Sequence, residues 1–159
     1  MALVDLKPIT YRGGLVKFYV PNTWVEEYEP NGGGTFYEDL PNSGTLRLNV
    51  LTFEDESGSN DKTASDFLVN SDLAKRGVIT PLPNGNVMLT YHKDSVEENE
   101  NLRIYFWQIT NYVPPKHTRI AVFSHTILAG QESDPLIANE LEIIGEQIPK
   151  ATFALEFGK

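Results

Sequence analysis

The sequence predicts an α+β domain built on a large antiparallel β-sheet with two principal helices. Three observations predict it. Long stretches alternate apolar and polar residues, as Leu46, Leu48 and Val50 do, which is the period of a half-buried strand. Two segments, at about 63–76 and 134–149, carry helical spacing instead. These helices sit between and after runs of strands joined by short turns, the order of helices layered on an antiparallel sheet.

The elements follow from local chemistry. Residues 1–14 read as an N-terminal extension, because Asp5, Lys7 and Pro8 interrupt any apolar run. Leu15 to Val20 is a strand with Val16, Phe18 and Val20 on one face, closed by Pro21-Asn22. Trp24 to Glu29 and Thr35 to Asp39 form two more strands. The Pro30-Asn31-Gly32-Gly33-Gly34 turn joins them, since glycine supplies positive φ and proline sets the entry. A phosphate-binding loop would need a helix after those glycines, and Thr35-Phe36-Tyr37 reads as strand. Thr45 to Phe53 alternates again. After a polar loop, Thr63-Ala64-Ser65-Asp66 opens the first helix as a variant capping box, and Gly77 stops it. Asn84-Gly85 marks a hairpin turn. A meander of three long strands follows: Val87 to Val96, Leu102 to Val113 and Thr118 to Leu128. Asp134-Pro135 then caps the last helix, whose stripe of Ile137, Leu141, Ile144 and Ile148 should lie on the meander. Ala151 to Phe157 reads as an extended tail that packs.

The 159 residues fit a single domain, with 15–128 mostly sheet, and 40% apolar residues suffice for a core without staples. The absence of cysteine excludes disulfides, thiolate nucleophiles and cysteine-ligated zinc. With no basic, apolar leader at the start and no long apolar run, the expected location is cytoplasmic, away from the membrane. Thirteen Lys and Arg stand against 22 Asp and Glu, for a formal charge of −9. Such a surface repels phosphate backbones, so no nucleic acid is expected, and a basic protein partner suits it better.

No cofactor and no metal are expected. The loop from Asp55 to Asp61 alternates oxygen ligands, but its glycine is misplaced and Asp66 stands where a calcium loop has its last, bidentate Glu. His92, His117 and His125 have no second ligand at helical spacing. Pairing the last strands by their turns puts His92 near Trp107 and Trp107 near Ser124, with His125 beside Phe106 on the opposite face; a one-residue slip reverses this. Ser124, His92 and Asp94 could supply a hydrolytic triad in kind, although no Gly-x-Ser-x-Gly elbow exposes the serine. Tyr91, Tyr105, Phe106 and Trp107 are sheet core first and a binding surface second.

The strand Phe18-Tyr19-Val20-Pro21-Asn22-Thr23-Trp24, then Gly34-Thr35-Phe36-Tyr37, Leu46-Arg47-Leu48-Asn49-Val50, the long hairpins and Leu141-Glu142-Ile143-Ile144 with Phe153 follow one another in a familiar order. In this order of elements the chain from Tyr11 onward resembles the PsbP-like fold group, an α/β sandwich that also includes the Ran-binding Mog proteins. The resemblance implies a partner-binding or assembly role with no shared active site. Small orphan domains of this type also occur as mobile-element cargo and as toxin-neutralising proteins.

The expected function is therefore a non-enzymatic protein-binding module. Its acidic contributors would be Glu97, Glu98 and Glu100 at one hairpin tip and Asp55, Glu56 and Asp61 in the long loop. The alternative is a small-ligand-binding domain or small hydrolase, with a pocket lined by His92, Tyr105 and Trp107.

Overall fold

A computed structural model describes residues 5–30, 32–54, 77–83, 85–113 and 117–154. The first expected helix, at 63–76, lies outside the described residues, as do Asp55, Glu56 and Asp61. Ten strands are described: β1 (Leu6–Tyr11), β2 (Val16–Pro21), β3 (Val25–Tyr28), β4 (Gly34–Tyr37), β5 (Thr45–Glu54), β6 (Val78–Pro81), β7 (Val87–Glu97), β8 (Glu100–Val113), β9 (His117–Leu128) and β10 (Thr152–Phe153). One α-helix, α1 (Pro135–Gln147), is described with them and runs into a 3-10 turn at Ile148–Lys150.

The strands form two sheets. The large one is seven-stranded and antiparallel, in the order β3-β4-β5-β9-β8-β7-β6. The small one is β1-β2-β10, also antiparallel. The stretch read as an N-terminal extension thus supplies β1, and the packed tail supplies β10. The strand from Leu15 to Val20 leaves the large sheet and becomes the middle of the small one. Its alternation is that of any half-buried strand, so it could not say which sheet would receive it.

Side chains alternate across each strand, and the register fixes the inner face of the large sheet. Phe36, Leu46 and His125 face inward in one row, and Leu48, Phe123 and Trp107 in the next. All six are buried. The small sheet answers with Ile9, Val16, Phe18 and Val20. Phe18 joins the layers, its ring set edge-on to Phe36 at 5.4 Å and to Phe123 at 5.1 Å, the arrangement that aromatic quadrupoles favour. On the outer face Val87 and Leu89 form a second, smaller cluster with Ile79 and Tyr91.

Helix α1 begins as expected. Asp134 caps it by accepting a hydrogen bond from the Leu136 N–H, with Pro135 in the first turn. Ile137, Ile144 and Ile148 are buried, while Leu141 is half-buried against the core. The helix packs on β2 as well as reaching β9, so its seat is not the meander alone.

The link to β9 is polar. Glu140 falls three residues after Ile137 and so lies on the apolar stripe, where it is 2% exposed. Its Oε1 accepts the Gly44 N–H at 2.9 Å and lies 3.0 Å from Nε2 of the fully buried His125. The Trp24 indole stacks on that imidazole, with centroids 6.3 Å apart. A Cβ at residue 44 would lie 2.3 Å from His125 Nε2 and 2.9 Å from Glu140 Oε1, so only glycine fits.

A second polar tie holds the C-terminal strand. Arg119, 2% exposed, donates to Asn111 Oδ1 through Nε and Nη2 and to the Ala154 carbonyl. Its guanidinium sits 5.8 Å over the Phe153 ring, and burial lowers its pKa.

Two stability outcomes follow. Ile144→Ala should cost about 2–5 kcal/mol in chemical denaturation, and Leu141→Ala clearly less, because Leu141 is only half-buried. Glu140→Ala should cost about 3 kcal/mol or more, because the buried Gly44 N–H loses its acceptor and the buried His125 Nε2 loses its partner. A denaturation midpoint unchanged by Glu140→Ala would show that this contact holds nothing.

Candidate functional site

The β7–β8 hairpin builds the site. Its turn is Glu98-Asn99, with φ of 51° and 67°, the left-handed pair that a two-residue hairpin turn requires. This turn sets His92 opposite Tyr105 and Thr90 opposite Trp107. The pairing of His92 with Trp107 expected from a longer turn is displaced by two residues, which leaves every side chain on its face. Between β8 and β9 the offset is a single residue. Trp107 lies opposite Phe123 and His125 opposite Tyr105. A shift of one reverses faces, so His125 joins Trp107 on the inner face and Ser124 turns outward.

His92, Tyr105 and Trp107 therefore do come together. The His92 and Tyr105 rings are 5.9 Å apart and tilted, and those of Tyr105 and Trp107 are 6.4 Å apart. With Val78 and Thr90 they line a cleft of about 360 Å³. His92 is exposed, Tyr105 half-buried and Trp107 buried, so the cleft opens at His92 and closes on the indole. Across the same strands, Tyr91 stacks on Phe106 at 4.7 Å and accepts a hydrogen bond from Gln108. Burial raises the Tyr91 phenol pKa. Lys93 lies 5.5 Å over the outer side of that pair, at Phe106.

Carboxylates crowd the hairpin tip. Glu97 and Glu100 are direct cross-strand partners and Glu98 is in the turn, all three exposed. No cation among the described residues lies within ion-pair distance of them. Asp94, one step back, is already engaged by Arg103 at 2.9 Å, and that hydrogen bond holds its carboxyl below the usual range.

The chemistry available is limited. Ser124 lies on the outer face, in a groove of about 440 Å³ with Arg47, Lys93 and Thr126, while His92 and Asp94 are on the inner side of their strand and Asp94 is committed to Arg103. The triad in kind is not one in space. His117 is half-buried, 3.8 Å from Glu54. The His125–Glu140 pair has the elements of a catalytic dyad but is sealed, at 0% and 3% side-chain exposure, and admits no substrate. Among the described residues, no three His, Asp or Glu side chains gather as a metal would need, and no helix is long and apolar enough to cross a membrane.

Glu140 and Gly44 are the residues that sequence reasoning missed. A signal existed for the first, since a carboxylate three residues from Ile137 interrupts the helix's apolar stripe. Nothing local marked the second, whose constraint comes from residues 81 and 96 positions away.

No family model matches the sequence, and no curated protein matches it significantly. The similarity is to solved structures. A crystal structure from Bacteroides thetaiotaomicron superposes with a TM-score of 0.64 at 17% identity over 96% of this chain, which spans 50% of that one. LpqN of Mycobacterium tuberculosis, a protein involved in cell envelope biogenesis, superposes with a TM-score of 0.63 at 11% identity, over 95% of this chain and 91% of its own. The cyanobacterial PsbP of Synechocystis aligns over 96% of this chain at 10% identity with a TM-score of 0.37, too loose to argue from. At these identities the likeness is one of fold: an antiparallel-sheet α+β sandwich shared with bacterial proteins of otherwise unrelated sequence.

Proposed function

We propose that this protein is a non-enzymatic binding module that holds a protein partner at the β7–β8 end of its large sheet. One observation carries the reading. On the outer face of the hairpin the half-exposed stack of Tyr91 on Phe106 leads to the exposed cross-strand pair Glu97 and Glu100, with Glu98 in the turn, while His92 and Tyr105 flank the same strands on the inner face. Aromatic anchors beside charge of one sign are the composition of an interaction surface, in which rings supply contact area and charge supplies steering. The net charge of −9 selects a basic partner.

A second reading has its own observation. The cleft of about 360 Å³ at His92, Tyr105 and Trp107 falls within the size range of small-molecule sites. Its lining is mostly aromatic, with Thr90 and His92 among the few polar side chains, which favours an apolar or aromatic side chain of a partner over a small substrate. The hydrolase form of this reading lacks Ser124, which faces away.

Site-specific photocrosslinking in the source cell tests the proposal. A benzophenone amino acid at His92 or Glu98 should give a protein adduct, and one at Tyr19, exposed on the small sheet, should not. Equal yields at all three positions, or an adduct at Tyr19 alone, would refute the assignment of the surface.

A further inference from the structure

The outer face of the large sheet carries positive charge, against the sign of the chain as a whole. Arg47 on β5 and Lys93 on β7 both stand there, both are exposed, and both line the groove of about 440 Å³ that holds Ser124. The walls of this groove are described residues throughout. It lies at the Thr45 end of β5, whereas the described chain leaves that strand at Glu54, its other end. No carboxylate among the described residues is within ion-pair distance of either cation.

The register arranges the lining. Arg47, Ser124 and Phe106 are successive partners in one row across β5, β9 and β8, and Thr45, Thr126 and Ile104 are successive partners in the next. Lys93 starts opposite Ile104, but its ammonium reaches to 5.5 Å from the centre of the Phe106 ring. Both cations therefore border the row of Ser124, one from each side. The half-buried Ser124 and Thr126 stand between them on one face of β9, about 7 Å apart at the rise of a strand.

We propose that this groove binds a small organic phosphate, at a site that does not depend on the protein-binding reading. A guanidinium fork matches the oxygens of an oxyanion, and a lysine adds a point charge beside it. Two cations with hydroxyl donors between them exceed what the single charge of a carboxylate calls for and suit a phosphoryl dianion. Among the described residues Lys93 is held by the Phe106 ring, an attraction that is weak at an exposed position and yields readily to an anion. The void is of small-molecule size, larger than inorganic phosphate alone would fill. Half-buried Ile104 and Phe106 offer their surface to the organic part of the ligand. Glu97 at the margin of the groove and the net charge of −9 repel a long polyanion, so a nucleic-acid strand is disfavoured.

Calorimetric titration with phenyl phosphate, inorganic phosphate and benzoate tests the site. Phenyl phosphate should bind, and the other two should bind more weakly, one for want of the ring and the other for want of the second charge. Arg47→Gln and Lys93→Gln should each weaken phenyl phosphate roughly tenfold, the worth of about one charge-assisted hydrogen bond. Lys17→Gln, which removes an exposed cation from β2 in the small sheet, should leave the affinity unchanged. If a groove variant fails to fold, wild type decides: phenyl phosphate must shift the amide resonances of Arg47 and Ser124 and leave that of Lys17 in place. No binding of phenyl phosphate, equal binding of benzoate or inorganic phosphate, full affinity in a folded Arg47→Gln protein, an equal loss with Lys17→Gln, or shifts that miss Arg47 and Ser124 would each overturn the proposal. Absent phosphate binding with crosslinks at His92 and Glu98 intact would sink this site alone and leave the binding module standing.

Discussion

The register of β9 decides which side chains the large sheet turns inward, and most of the interior depends on it. Strand β9 is held on both sides, by β5 from His117 to Thr126 and by β8 over its whole length, His117 to Leu128. Because both neighbours agree, Ala121, Phe123 and His125 all face the small sheet and helix. Phe123 then meets Phe18, and His125 meets Glu140 and Trp24. Move β9 by one residue and Val122, Ser124 and Thr126 would replace them, leaving the helix carboxylate and the β2 phenylalanine with nothing complementary. A strand in the centre of a sheet is fixed by two ladders at once, which is why polar contacts as demanding as that of Glu140 can be built on it.

Two polar knots sit among the buried apolar residues, and each fastens an element that hydrophobic burial alone would leave free to slide. The Glu140 carboxylate joins α1 to β9 before it and to the backbone at Gly44, which is remote in sequence from both. Arg119 joins β9 to β8 through Asn111 and to the chain after β10 through the Ala154 carbonyl. Burial of apolar surface is non-directional and tolerates small shifts of a helix along a groove. A buried carboxylate that needs two donors does not, because any shift strands polar atoms away from water. Direction in this fold thus comes from few residues, and bulk stabilisation from many.

The strands of the large sheet were legible in the sequence because each is long or bounded by strong turn chemistry: Gly32-Gly33-Gly34, Gly85 and the Asp134-Pro135 cap all stand where the sequence places them. The division into two sheets was not legible. Val16, Phe18 and Val20 alternate as well as Leu46, Leu48 and Val50 do, and alternation carries no information about which neighbour a strand will choose. Strand β1 escaped notice because Asp5, Lys7 and Pro8 dilute its pattern, although Ile9 and Tyr11 are among the most buried side chains. At the site, the proximity of His92, Tyr105 and Trp107 was readable from hairpin pairing, since an error of two residues preserves faces. The place of His125 was not, since the β8–β9 connection differs from expectation by one residue and a single residue changes the face. Glu140 could be connected to His125 only once that face was known.

The chain has two tryptophans, and the fold has put one at each of its two distinctive places. Trp24 stacks on the His125 imidazole beneath the helix, and Trp107 forms the floor of the cleft beside Tyr105. Their emission is consequently a built-in pair of optical reporters. The Trp24 signal is modulated by the imidazole against which it lies, so it follows the seating of α1 on the sheet. The Trp107 signal follows whatever enters from the solvent side past His92. Phenylalanine at one indole position at a time would separate the two spectra, allowing loosening of the helix and occupation of the cleft to be watched independently in a single unlabelled molecule.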